Sequence, residues 1–150
     1  MTFSYDGSKY SGYQKQPKKK TIQGEIEKAL KQINGGKEVS LVASGRTDAG
    51  VHAYNQRAHF DMETTIPASK IKQGVNSLIP DDIYVKNIFE VEETFHARFN
   101  VKAKEYIYKI NMGSYNPIEK DYIYQYSKKL DISEMERALK YLEGTHDFSS

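Results

Sequence analysis

The chain has 150 residues, a formal net charge of +2 and no cysteine, so disulfides, thiolate chemistry and cysteine zinc sites are excluded. No apolar run approaches the ~20 residues that a membrane helix needs, and the N-terminal MTFSYDG enters a strand-like pattern at once, which is not how a signal peptide begins. These features read as a cytoplasmic protein. A net charge of +2 is weak support for a nucleic-acid partner, which usually goes with a pI above ~9. The charge is concentrated where Lys15, Lys18, Lys19 and Lys20 crowd around Pro17, and of the twelve tyrosines, which can stack on bases, most belong to a core or a sheet face.

In chain order, Thr2–Tyr5 predicts a strand closed by the turn pair Asp6-Gly7. A polar, lysine-rich loop runs to Lys20. Ile22, Ile26, Leu30 and Ile33 then recur at helical spacing, with Thr21 placed to cap the helix and Gly35-Gly36 to end it. Val39–Ala43 is a short apolar run of strand length. Tyr54, Ala58, Phe60 and Met62 alternate with Asn55, Arg57, His59 and Asp61, the period-two pattern of a half-buried strand. Pro67 opens a helix carrying Ile71, Val75 and Leu78, which Pro80 closes. Ile83, Val85, Phe89 and Val91 predict a further strand.

The resulting order, β-α-β-β-α-β, predicts an α+β fold of the ferredoxin-like or RRM-like kind, an antiparallel sheet with helices on one face. The other face is left for a ligand such as RNA. The pattern then restarts. Tyr106, Tyr108, Ile110 and Met112 alternate as a strand, and Met135, Ala138, Leu139 and Leu142 trace a helix with Asp131 or Ser133 as its cap. The expected domains are therefore a first half, 1–94, and an incomplete second pseudo-symmetric unit, 95–150.

The densest chemical motif is Ser44-Gly45-Arg46-Thr47-Asp48-Ala49-Gly50-Val51-His52-Ala53, on the loop between two predicted strands. Its glycines let the backbone turn sharply, and a sheet beneath can hold a reactive group in the open. An exposed aspartate is ionised at neutral pH and attacks without a base to activate it. On spacing alone, Asp-Ala-Gly is more often an ordinary turn, with Arg46 and Asp48 as a surface ion pair. The four histidines, His52, His59, His96 and His146, lack metal-ligand spacing and no P-loop is present, so neither metal nor nucleotide hydrolysis is expected.

The run Gly45 to His52 resembles the signature of the TruA family of tRNA pseudouridine synthases. Further matches follow in the family's order. They are Tyr5-Asp6-Gly7-Ser8-Lys9-Tyr10 with Gly12, Gln14 and Gln16; Thr21-Ile22-Gln23; Asn76, Leu78 and Pro80 with Asp82-Ile83; Phe95-His96-Ala97-Arg98-Phe99; Lys104-Glu105-Tyr106-Ile107-Tyr108; and His146-Asp147-Phe148-Ser149-Ser150. Tyr13 departs from the family, which often has tryptophan there.

The resemblance implies a cofactor-free, metal-free isomerase, homodimeric, that converts uridine to pseudouridine at positions 38 to 40 in the anticodon arm of tRNA. Asp48 is its nucleophile, Tyr106 stacks on the target base, and Arg46 lies near the flipped nucleotide or its phosphate. Arg98, Lys15, Lys18, Lys19 and Lys20 are candidates for holding phosphates, with a solvated loop as the bland reading of the lysines. The resemblance also implies a second half continuing past Ser150 that supplies the other wall of the active-site cleft. Two rivals are a non-catalytic RNA-binding module, disfavoured because the RNP1 aromatics are absent, and a remnant that binds a partner without turnover.

Overall fold

A computed structural model describes residues 1–148. It separates into two compact units, Met1–Glu105 and Tyr106–Ser150.

The first unit runs β1 (Thr2–Tyr5), α1 (Ile22–Ile33), β2 (Val42–Ala43), β3 (Ala53–His59), α2 (Ala68–Leu78), β4 (Ile83–Asn87). The four strands form one sheet in the order β2-β3-β1-β4 with every neighbour antiparallel. The helices obey local rules. Thr21 Oγ1 accepts from Gly24 N–H at 3.3 Å and so caps α1, while Pro67 sits at the N-cap of α2. Each helix presents one apolar stripe: Ile22, Ile26, Ala29 and Leu30 on α1, Ile71 and Val75 on α2. These meet Phe3, Tyr5, Ala58, Ile83 and Val85 from one side of the sheet in a single core. The hydrophobic burial of such side chains, roughly 1.5–3 kcal/mol each, is what holds two short helices on the sheet. Asn76 ties α2 to β4 through both backbone groups of one residue, donating to Val85 O (2.9 Å) and accepting from Val85 N–H (2.8 Å).

Several strands depart from the alternation predicted for them. Tyr54 is 72% exposed, and it is Gln56 and Ala58 that face inward. The register explains this. Phe3 pairs with Gln56 and Tyr5 with Ala53, so three steps on β3 oppose two on β1. That β-bulge shifts the side-chain phase. β2 is shorter than the apolar run Val39–Ala43, because Leu41 gives its N–H to the buried carboxylate of Glu27 (3.0 Å) and not to a strand. β4 stops at Asn87, leaving Phe89 and Val91 exposed.

The second unit contains β5 (Ile110–Asn111) and β6 (Tyr124–Gln125), a parallel pair, then α3 (Ile132–Leu139) continued by a 3-10 turn, Lys140–Leu142. Asp131 is the cap of α3, accepting from Glu134 N–H at 3.0 Å. The strand expected over 106–112 is confined to β5. Tyr106 and Tyr108 are 66% and 88% exposed, and no ladder pairs them among the described residues. Alternation makes a strand only where a partner accepts its hydrogen bonds. The closing pair of the motif His146–Ser150, Ser149 and Ser150, lies outside the described residues.

Candidate active site

The loop between β2 and β3 is clamped at three points, and Asp48 is at its crest. At the entry, Ser44 N–H donates to Arg57 O (2.8 Å). The buried Gln56 receives the Ser44 hydroxyl (2.7 Å) and donates to Gly45 O (2.9 Å). In the middle, Thr47 is held on two sides. Its hydroxyl lies 2.9 Å from the phenol of the buried Tyr5, and its carbonyl accepts from Tyr13 N–H at 2.9 Å. At the exit, Gly7 N lies 3.2 Å from His52 Nδ1, which is also 3.0 Å from Asp6 Oδ1. One proton cannot serve both contacts. Nδ1 either accepts from Gly7 or donates to Asp6, and each contact keeps His52 against the β1 turn.

Two glycines make this approach possible. A Cβ on Gly7 would stand 2.1 Å from Val51 O, and one on Gly12, whose φ is +90°, would stand 2.9 Å from Thr47 O. In the sequence Tyr5 and Tyr13 stand out only within the N-terminal match to the family, and Gln56 not at all; their hold on the loop comes from tertiary neighbours. Asp48 itself is exposed, and Val51 N–H closes the turn onto its carbonyl at 3.3 Å. Among the described residues no ion pair joins Asp48 to Arg46, so the surface-pair reading of the loop is not what the structure shows. An exposed carboxylate on a rigid crest is free to meet a substrate atom.

The lysine loop divides into two classes. Lys15 Nζ bonds the buried Glu27 at 2.9 Å, and that bond raises its pKa above the ordinary lysine value. Lys20 Nζ lies 4.5 Å from the ring centre of Tyr10, a cation–π contact. Lys18 and Lys19 are exposed. Behind this loop, the rings of Phe3, Tyr5 and Tyr13 form a triangle, Tyr13 stacked on Phe3 and tilted to Tyr5 with its ring centre 6.4 Å from each. Its hydroxyl is buried with no hydrogen-bond partner among the described residues, and burial pushes its pKa up.

The segment 95–100 falls within the first unit and packs on the end of β3. Ala97 is buried and its N–H donates to His59 Nδ1 at 3.1 Å. His96 stacks on Phe99 and lies 4.8 Å, ring centre to ring centre, from His59. Burial, and then the neighbouring His96, lower the pKa of His59. This docking brings Arg98 beside Arg46, where both line one cavity of about 170 Å³ at the outer edge of β2. Tyr106 belongs to the second unit. Among the described residues no three His, Asp or Glu side chains gather to hold a metal ion, and no helix is long and apolar enough to cross a membrane.

A mixed α+β unit that mounts an unpaired aspartate inside this Gly-flanked motif defines a class, and comparison with known proteins identifies it. A family model described as tRNA pseudouridine synthase matches residues 1–100, and the chain belongs to that family. Among its relatives are proteins named tRNA pseudouridine synthase A. That of Geobacillus sp. (strain WCH70) is 47% identical over 150 residues, covering 99% of this chain and 60% of the relative. That of Anoxybacillus flavithermus is 48% identical over 149 residues, covering 99% and 61%. That of Lacticaseibacillus casei is 45% identical over 151 residues, covering 100% and 61%. The chain thus spans about 60% of the length of these curated relatives.

Proposed function

We propose that this chain carries the nucleophile-bearing half of an enzyme that isomerises uridine to pseudouridine in the anticodon arm of tRNA. Asp48 is the nucleophile. The observation that carries the reading is the exposed carboxylate on a loop pinned at Gly45, Thr47 and His52. Such pinning is what a nucleophile needs, since proximity and fixed orientation supply much of the rate enhancement in a well-aligned site. A uridine inside a stem is out of reach, so it must leave the stack at a cost of a few kcal/mol. Stacking on an aromatic ring returns ~1–3 kcal/mol, the role we assign to Tyr106. Arg46 meets the flipped nucleotide or its phosphate, while Arg98 and the exposed lysines hold the backbone. Asp48 bonds to the sugar C1′ or to the ring C6 and that bond is broken again before release; in between, the C1′–N1 bond breaks, the freed uracil turns and C1′ bonds to C5, after which the C5 hydrogen leaves as a proton and N1 gains one. No cofactor or metal enters these steps.

The strand order β2-β3-β1-β4, with two crossing helices on one face, supports a ferredoxin-like first half. We assign residues 1–94 to it and 95–150 to the beginning of a second half, with a homodimer in the cytoplasm as the working assembly. The test is tritium release from C5-labelled uridine in tRNA, using the protein at the full length of its relatives. Asp48→Asn keeps the shape of the loop and removes the anion. Turnover should vanish while tRNA binding and the thermal transition persist. Appreciable release by the Asn variant rules out the nucleophile.

A further inference from the structure

Beneath the crest of the Asp48 loop runs a chain of polar groups whose donors and acceptors can be followed one by one. It starts at the buried Gln56. Its Oε1 receives the Ser44 hydroxyl (2.7 Å) and the Arg57 N–H (3.2 Å), and its Nε2 donates to Gly45 O (2.9 Å). Two donors fill the lone pairs of that oxygen. Next comes Tyr5, only 5% exposed, whose hydroxyl lies 2.9 Å from Thr47 Oγ1. Burial raises the pKa of this phenol, and its contacts with Thr47 and Gln56 oppose the rise without cancelling it, so the phenol keeps its proton at neutral pH.

By distance, either oxygen of the Tyr5–Thr47 pair could be the donor. Burial decides between them. If Thr47 donated, the Tyr5 proton would be left inside the core without an acceptor, at the full desolvation penalty of the group. If Tyr5 donates, the proton left over is that of Thr47, which is only half-buried and can aim it outward. The bond therefore runs from Tyr5 to Thr47. Among the described residues the Thr47 hydroxyl meets no other acceptor, so the chain ends on a spare O–H donor one residue before Asp48.

We infer that the Thr47 hydroxyl donates a hydrogen bond to an oxygen of the nucleotide presented to Asp48, and that Tyr5 is the positioning residue that turns this donor outward. The main chain of Thr47 is fixed as well, because its carbonyl accepts from Tyr13 N–H at 2.9 Å. A donor held at both its backbone and its side chain loses little freedom when a ligand arrives. The acceptor is a ribose oxygen or a uracil carbonyl, the oxygens that neighbour C1′ and C6. Such a donor accelerates the reaction where charge grows on its acceptor as the C1′–N1 bond breaks. The presence of a nucleotide at Asp48 rests on the proposed function. The direction of the Tyr5–Thr47 bond rests on burial.

The experiment uses the protein at the full length of its relatives and an anticodon-arm hairpin, with single-turnover conversion at saturating protein followed by nucleoside chromatography. Thr47→Val keeps the branched shape and removes the hydroxyl. It should slow conversion between about tenfold and 10²-fold, the range for a hydrogen bond to a charge-bearing group. Thr47→Ser keeps the hydroxyl and should stay within a few-fold of the parent. Tyr5→Phe should slow conversion about three- to tenfold, and should cause no further slowing in the Thr47→Val background. Thermal melts check that each variant folds, and Thr47→Ala replaces Thr47→Val if that variant melts below the assay temperature. Hairpins whose target lacks the ribose 2′-oxygen, or carries sulfur for either uracil carbonyl oxygen, identify the acceptor. One of them should slow the parent and leave Thr47→Val unchanged. A Thr47→Val rate equal to that of the parent, an equal loss in Thr47→Ser, or additive losses with every altered hairpin overturns the donor. Additivity between Tyr5→Phe and Thr47→Val overturns the role of Tyr5. A parent that converts no uridine refutes the enzymatic reading and this donor with it, whereas an active parent with an unaffected Thr47→Val refutes the donor alone.

Discussion

Gly7→Ala tests whether the clamp on the Asp48 loop matters for chemistry. The added Cβ would stand 2.1 Å from the Val51 carbonyl oxygen and 2.7 Å from its carbon. Both are backbone atoms, so no side chain can swing aside. Ordinary contact begins near 3.4 Å, which requires a retreat of 3.4 − 2.1 = 1.3 Å. Val51 is joined to Asp48 by the N–H to carbonyl bond at 3.3 Å, so the displacement passes directly into the turn that carries the carboxylate. Overpacking of this kind costs roughly 1–3 kcal/mol of stability. A misplacement near 1 Å at a reacting group costs about 10²-fold in rate. The expected result is a cooperative but lowered urea midpoint, with tritium release at saturating tRNA reduced about 10²-fold. Gly7 does not have a positive φ, so backbone strain does not confuse the outcome. Turnover within a few-fold of the parent, in a folded variant, would show that the position of the Asp48 loop is not set by the β1 turn.

The remaining predictions separate roles within the same unit. Replacing Lys18 and Lys19 with Gln should flatten the salt dependence of tRNA binding by slightly under about one log–log unit per lost phosphate contact. Lys15→Gln should instead lower the melting temperature, because it leaves buried Glu27 without its cation; an unchanged melt with a flattened salt slope would reverse that assignment. Tyr13→Phe removes a buried hydroxyl without a partner, and should be neutral or stabilising by up to about 1–3 kcal/mol; clear destabilisation would mean that the hydroxyl is satisfied. His59 accepts from Ala97 N–H only when neutral, and its pKa is lowered in the fold. The unfolded chain therefore takes up the proton first. The contribution of this contact is complete above the unfolded value, about 6.5, and is lost as pH falls through the lower folded value. The Ala97 amide resonance should report undocking in that acidic window, and a pH step that persists in His59→Phe would assign the effect elsewhere.

Sequence alone determined the elements whose physics is local. Thr21 and the 3.6-residue spacing of Ile22, Ile26 and Leu30 specify α1, and Asp131 or Ser133 marks the start of α3, with the structure choosing Asp131, because caps and apolar stripes act within a few turns of chain. The Gly45–His52 motif likewise marked the candidate loop, and its resemblance led to the family that the comparisons then showed. Strand phase was not legible. Tyr54 reads as a core residue by alternation, yet the bulge opposite Phe3 and Tyr5 turns it outward, and a bulge exists only when two strands are paired. Tyr106 to Met112 reads as a strand for the same reason, and pairs only over Ile110–Asn111. The lysine cluster looked uniform until Glu27 and Tyr10, each buried by folding, engaged Lys15 and Lys20. Only tertiary packing could decide that Tyr5 and Tyr13 hold Thr47. It alone could bring Arg98, 52 residues further along the sequence, to the cavity that Arg46 lines. Contacts between distant segments depend on how all the intervening elements close the core, and no short stretch of sequence carries that information.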